Sequence, residues 1–303
     1  MTGGPSRSRL WPGGIGLRVT GLALVLASSA LALCAAGAAT ASGGALVAAP
    51  LTPAAGRGNV DNGELASTSA GSLDQVAQGG TQPATSTNWS GYVAMNGPYR
   101  AVTGTFTVPT ITRYIAGSSI SEWVGIDGYD NRSLIQAGVN EIPEGQGQSV
   151  IEPWWEVLPF SQKLAPGVMV RAGQTVTVTL HQQSDHEWSI SLVDDNNGDS
   201  FSTDQDYAGL LSSADWVVEA NAQDNGTPTT LAPFRQVSFS KLEVAGAPAR
   251  LTCVAMVQNG RTVGAPSALT SRGFTVVDPL SSPYGGPGEP VSTATSTCPT
   301  GDA

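Results

Sequence analysis

The stretch Ser121–Asn140, SEWVGIDGYDNRSLIQAGVN, reads as two short strands, Ser121 to Ile126 and Arg132 to Val139, joined by the turn-forming run Asp127-Gly128-Tyr129-Asp130-Asn131. Side chains alternate along a strand, so Trp123, Gly125 and Asp127 share one face while Val124 and Ile126 share the other. The second strand divides in the same way, with Leu134, Gln136 and Gly138 on one face and Ile135, Ala137 and Val139 on the other. Each strand therefore has an aliphatic face for a core. The opposite face carries a Trp, a carboxylate and an amide where a water-facing strand normally carries Thr, Ser or Lys, and that substitution points to a groove.

Working outward, short alternating runs punctuated by turn residues recur at Val102 to Val108, Ser149 to Leu158, Gln174 to Gln182, Glu187 to Val193, Asp215 to Ala220, Arg235 to Ser240, Leu251 to Val257 and Gly273 to Val277. No helix-length stretch has a period of 3.6, so the pattern predicts an all-β sandwich. Composition agrees: 40% of the 303 residues are hydrophobic, only 13% are charged, and Gly (37) and Pro (20) are plentiful. A net charge of −10 with no basic stripe excludes a nucleic-acid partner.

Four regions follow from composition. Residues 1–41 read as a secretion signal, with Arg7, Arg9 and Arg18 as the basic start, Val19 to Leu33 as the apolar segment and Ala39-Thr40-Ala41 as a small-residue cleavage site. Residues 42–86, mostly Ala, Gly, Ser, Thr and Gln, read as a disordered linker or propeptide. Residues 87–278 hold the sandwich, and 279–303 a flexible tail rich in Pro, Gly, Ser and Thr. The expected product is a secreted, extracellular monomer with no stable membrane insertion once the signal is removed. Signal cleavage would leave Cys253 and Cys298, which an oxidising compartment allows to pair.

Two further strands carry polar groups in the same style. Glu152, Trp154 and Glu156 share a face of Ile151–Val157, and Asp215, Val217 and Glu219 share a face of Asp215–Glu219, with Trp216 and Val218 on the other. Trp155 and Trp216 share faces with aliphatics and are expected in the core; Trp123 and Trp154 are expected in the groove. Peptide hydrolysis needs an activated water, a donor for the oxyanion and a proton for the departing amine. A carboxyl such as Glu219 can move the protons, and an amide such as that of Gln136 can donate to the oxyanion without titrating. Glu219 can start the cycle as base or as acid. His181 and His186, beside Asp185 and Glu187, fit an exposed hairpin better than a metal site, and no Gly-x-Ser-x-Gly elbow accompanies them. Asp194–Asp199 lacks the Glu and spacing of a calcium-binding helical hand and reads as a solvated turn. No metal and no cofactor are expected.

The chain resembles the eqolisin family of glutamic peptidases. The resemblance rests on Asn88-Trp89-Ser90-Gly91-Tyr92, Gly104-Thr105-Phe106-Thr107-Val108-Pro109, Trp123-Val124-Gly125-Ile126-Asp127-Gly128, Leu134-Ile135-Gln136-Ala137-Gly138-Val139, Trp154-Trp155-Glu156 and Asp215-Trp216-Val217-Val218-Glu219, in the family's order. It implies an antiparallel double-sheet β-sandwich of jelly-roll or concanavalin-like form, an acid endopeptidase acting on polypeptides, and Gln136 and Glu219 as catalytic pair. It also implies Trp123 and Trp154 as groove walls, with Asp127 and Glu156 as supporting hydrogen-bonding groups. Two positions depart from the pattern: Asn140 stands where the family's Asp is expected, behind Gln136, and Val157 where an aromatic is common. Two other classes compete. A glycoside hydrolase would use Glu156 and Glu219 across a sugar bond but has no evident use for Gln136. A lectin-like module would need the Trp residues and not Glu219.

Overall fold

Period-two alternation of apolar and polar residues runs through the described residues, and no helix interrupts it. The computed structural model describes residues 71–72, 81–145, 147–223, 226–246, 250–281 and 298. The secretion signal, most of the 42–86 segment and most of the tail lie outside these residues. Among the described residues no helix is long and apolar enough to cross a membrane.

In chain order the strands are β1 (Gly71–Ser72), β2 (Thr81–Ser86), β3 (Trp89–Met95), β4 (Tyr99–Thr107), β5 (Ser118–Asp127), β6 (Leu134–Gly145), β7 (Gln148–Val157), β8 (Lys163–Leu164) and β9 (Thr175–Gln182). They continue as β10 (Glu187–Asp194), β11 (Ser200–Asp206), β12 (Ser213–Glu219), β13 (Thr230–Leu231), β14 (Gln236–Gly246), β15 (Arg250–Gln258), β16 (Arg261–Pro266) and β17 (Phe274–Val277). One layer runs β8-β7-β6-β5-β12-β3-β15, antiparallel throughout. The other runs β11-β10-β9-β4-β14-β17, again antiparallel. Strand β16 pairs with β15 at Met256↔Gly264 and with β17 at Ala265↔Val277, joining the layers into one continuous ladder.

The core lies between the layers. Val124, Ile126, Ile135, Ala137, Val139, Trp216 and Val218 from the first meet Val102, Phe106, Val176, Val178 and Leu180 from the second, all buried. Trp216 also donates its Nε1–H to the Thr103 carbonyl at 2.8 Å, so one buried indole both packs and bonds the layers together. Trp155 sits in the same core, stacked on Phe201 at 6.5 Å. A second, smaller cluster of Trp89, Trp123, Trp154, Leu134, Val217 and Val254 forms apart from this core. The double-faced reading of the strands thus has a physical basis: one set of side chains closes the sandwich and the other forms a second buried cluster on the far side of the strands.

Three details differ from or refine the sequence reading. The sandwich begins before Thr87, because Gly71–Ser72 pairs with Glu243–Val244 and Thr81–Ser86 adds a parallel strand to Leu251–Met256, correcting the disordered reading for those residues. This strand carries Pro83 and has little apolar alternation, so nothing local marks it; at a sheet edge the missing N–H is tolerated. Strand β11, SFSTDQD, has a single aromatic anchor, Phe201, and is held by its hairpin partner β10. The turn of that hairpin is the acidic run at Asp194–Asp199, closed by Gly198 N–H to the Asp194 carbonyl at 2.9 Å and Asn196 N–H to Asp194 Oδ1 at 2.9 Å. His181 and His186 are exposed at the β9–β10 turn.

Cys253, fully buried on β15, is disulfide-bonded to Cys298, 45 residues on in sequence. A cross-link closing a loop of this length stabilises mainly by restricting the unfolded chain. Cys298→Ser is expected to lower the unfolding free energy by about 2–4 kcal/mol, read as a lower urea midpoint with a slope somewhat raised because the released unfolded chain exposes more surface.

Candidate active site

Strand β5 lies between β6 and β12, and register decides which side chains it brings together. Gly125 is opposite Gln136 on one side and Asp215 on the other; Ser121 is opposite Asn140 and Glu219. Trp123 stands between these two rows, opposite Gly138 and Val217. Alternation then sends Gln136, Trp123 and Glu219 to the face turned away from the aliphatic core. Two glycines make room there. A Cβ on Gly138 would collide with the Trp123 side chain and the Glu122 carbonyl, and one on Gly125 would crowd both the Trp123 ring and Gln136 Cβ. The Trp123 ring therefore lies over Gly125 beside Gln136, while its Nε1–H donates to Glu219 Oε2 at 2.8 Å.

Glu219 has a second donor that the sequence reading did not single out. Asn88 Nδ2 donates to Glu219 Oε1 at 3.1 Å, and Asn88 is positioned by the Ser86 hydroxyl, which donates to its Oδ1 at 3.0 Å. Trp89, opposite Glu219 in register, packs edge-on against Trp123 with ring centroids 4.8 Å apart and offers the carboxylate a third, poorly aligned N–H. The signal was present as the Asn-Trp pair opening the domain. Its partner lies 131 residues away, so local pattern could not reveal it.

Gln136 is held from the other side. Its Nε2 donates to Oε2 of Glu156, its register partner on β7, at 2.8 Å. Trp154, opposite Gly138, extends the same face. Gln136 Oε1 and Trp154 Nε1 are buried without protein partners, while the Glu156 carboxyl also meets the Gln162 backbone. Such groups typically cost about 1–3 kcal/mol each unless satisfied, which suits a surface that receives a polar ligand.

Burial governs the electrostatics. It pushes the Glu219 carboxyl up to about 7, against the opposing pull of the Trp123, Trp89 and Asn88 donors. It pushes Glu156 up to about 8; the Gln136 bond opposes this and the charge of Glu219 adds to it. The two carboxyls are thus within electrostatic reach of each other, with Gln136 bonded to one of them.

Two sequence-predicted residues lie elsewhere. Asp127, buried with φ of 69°, accepts from Tyr207 Oη (2.6 Å), Leu211 N–H (2.8 Å), Ser212 N–H (2.7 Å) and Asn131 Nδ2 (2.9 Å). It pins the 207–212 segment to the end of β5, and its bonds run away from Gln136 and Glu219. Asn140 shares the Gln136 strand but stands in the Glu219 row, and its Oδ1 accepts from Asn221 Nδ2 at 2.9 Å. The Asp-to-Asn departure therefore falls at the Glu219 end and not behind Gln136.

Residues 87–276 match the model described as the peptidase A4 family. The chain is 28% identical over 189 residues to Aspergillopepsin-2 of Aspergillus niger, covering 54% of this chain and 66% of that protein. It is 25% identical over 162 residues to Scytalidopepsin B of Scytalidium lignicola, covering 50% and 59%. The match thus spans 66% and 59% of these relatives' own length. Among solved structures the fold is similar to scytalido-glutamic peptidase with a transition state analog inhibitor, at TM-score 0.54 and 19% identity over 63% of this chain and 98% of that one. It is likewise similar to SCP-B, a member of the eqolisin family in complex with the tripeptide Ala-Ile-His, at TM-score 0.52 and 18% identity over 63% and 98%. At these identities what is shared is the double-sheet sandwich.

The carboxyls also set a pH dependence of stability. Burial raises Glu156, Glu219 and Glu141 to about 8, 7 and 7, and holds Glu122 and Asp215 well above the usual carboxylate range. The folded chain binds these protons more tightly than the unfolded chain does. Their stabilising contribution is complete below the ordinary carboxylate values near about 4 and is lost as pH rises through about 7 to 8. Thermal unfolding followed across the pH range is expected to give the highest Tm in acid and a steady fall toward neutrality; a maximum at or above neutral pH would contradict it.

Proposed function

Because the chain belongs to the peptidase A4 family, we propose that it is a secreted acid endopeptidase in which Gln136 and Glu219 hydrolyse the peptide bonds of polypeptide substrates. The observation that carries this reading is the pairing of two differently held groups on one tryptophan-bearing face. Glu219 is fixed by Trp123 and Asn88, and Gln136 is fixed by Glu156. Export is supported by the basic start, apolar segment and small-residue site in residues 1–41.

The chemistry follows from the protonation states. Below about pH 7 Glu219 is a carboxylic acid. It donates its proton toward the scissile carbonyl oxygen while its other oxygen accepts a proton from the attacking water, which bonds to the carbonyl carbon. The Gln136 amide has two N–H groups; Glu156 accepts one, and the other donates to the oxygen on which negative charge develops. Glu219 then delivers its proton to the amide nitrogen, the C–N bond breaks, and the hydroxyl proton of the tetrahedral centre returns to Glu219. Amine and acid leave, and the enzyme is restored. Trp123 and Trp154 are buried and form no open groove wall, contrary to the sequence expectation; Trp123 serves the chemistry by holding Glu219 through its Nε1–H.

The expected activity is proteolysis of denatured casein confined to acid pH and resistant to both pepstatin and EDTA. Glu219→Gln removes the proton carrier and is expected to abolish it, while Gln136→Ala lowers kcat by about 10²–10³ through loss of one oxyanion donor. Circular dichroism checks that both variants remain folded; undiminished proteolysis by folded Glu219→Gln would end the proposal. Trp123→Phe removes a donor that favours the ionised carboxyl, so the basic limb of the kcat/KM profile is expected to move to higher pH.

A further inference from the structure

A cavity of about 330 Å³ opens between the 110–114 segment and the β6–β7 hairpin, lined among others by Thr110, Arg113, Tyr114, Glu141, Gln148 and Ser149. It is separate from the surface of Gln136 and Glu219. Glu141 lies five residues beyond Gln136 on β6, so it projects from the opposite face. Its side chain is only 2% exposed, Ser149 and the Ile111 backbone hold the carboxyl, and Oε2 has no partner.

The groups around Glu141 are not those of a cation site. Glu122 is its diagonal neighbour across β5 and β6, fully buried, with neither oxygen partnered. Two carboxyls side by side in apolar surroundings do not both ionise, and the lining cation, Arg113, is exposed and also lies within electrostatic reach of the Asp278 carboxyl. Tyr114 faces the cavity from the same segment as Arg113, and β7 presents Ser149 and Gln148, neither of which titrates. In acid, the cavity therefore offers a guanidinium at one side, a carboxylic O–H steadied by Ser149 at another, the Thr110 hydroxyl, and the half-exposed Tyr114 ring. That set consists of donors around an apolar ring, and its complement is an anionic, planar acceptor attached to a small apolar body.

We propose that this cavity binds the carboxylate end of a short peptide, held between the Arg113 guanidinium and the Glu141 carboxyl acting as a hydrogen-bond donor. The carboxylate chemistry stands on these residues alone; the choice of a peptide rests on the peptidase reading above. A peptide carboxylate, with a pKa near about 3.5, is ionised while Glu141 is still protonated, which leaves a working window in mild acid.

The test uses the full chain carrying Glu219→Gln, titrated calorimetrically with N-acetyl-Ala-Ala, with its C-terminal amide, and with acetate. Mass spectrometry verifies that the peptide stays intact, so binding is read whether or not the assignment of Gln136 and Glu219 holds. At about pH 5 the free acid is expected to bind at least about tenfold more tightly than the amide, and Arg113→Ala to weaken it by about tenfold. Raising the pH to about 7.5, with folding checked by circular dichroism, is expected to weaken binding severalfold as Glu141 ionises. Glu141→Gln, whose amide donates at every pH, is expected to bind the free acid and to lose that pH dependence. Equal binding of acid and amide, no saturable binding, or an unchanged Kd in Arg113→Ala overturns the site. Acetate binding as tightly as the dipeptide overturns the peptide as occupant.

Discussion

The Trp123 indole, laid across one glycine and facing another with its N–H on a buried carboxyl, is the contact from which the rest of the face takes its form. It reaches from the row of Gln136 to the row of Glu219 on a strand that pairs with both of their strands. Without side chains at Gly125 and Gly138 the ring can lie flat enough to do so. An aromatic group of fixed shape thus sets the relation between two polar groups that the chain delivers from positions far apart. Rigid spacing of this kind is what a reaction with several proton movements requires, since misplacement by about 1 Å can cost about a hundredfold in rate.

The same face keeps its carboxyls protonated in acid. A carboxyl taken out of water keeps its proton unless a charge or strong donors oppose burial. Glu219 has neutral donors and Glu156 has an amide and a like charge, so neither is pulled into the ionised state at low pH. Buried acids elsewhere, Glu122 and Glu141 within the sandwich and Asp215 near Asp127, follow the same rule. Protonation state, and not ion pairing, is the electrostatic currency of this interior.

Much of this was legible from period alone. Alternation separated Trp123, Gln136 and Glu219 from Val124, Ile135 and Trp216, and the two sets occupy different clusters or surfaces as that alternation requires. What alternation cannot give is register, local turns or distant partners. The family resemblance sets Asn140 behind Gln136, yet cross-strand pairing puts it in line with Ser121 and Glu219. Asp127 shares parity with Trp123, but the chain turns at that residue with positive φ, and its carboxyl, a hydrogen-bonding group as the resemblance implies, supports the 207–212 segment. Thr81–Ser86 shows no strand pattern because its order comes from Leu251–Met256, far along the chain.

That edge strand has a bearing on how the protein can be cut. Ser86 closes it, and two residues later Asn88 grips Glu219. Trimming the amino-terminal side up to Thr81 would leave the grip intact. Trimming past Ser86 would strip away both the tether and the strand that steadies it, so the safe limit of any maturation cut is written into the sheet a few residues ahead of the carboxyl's own holder.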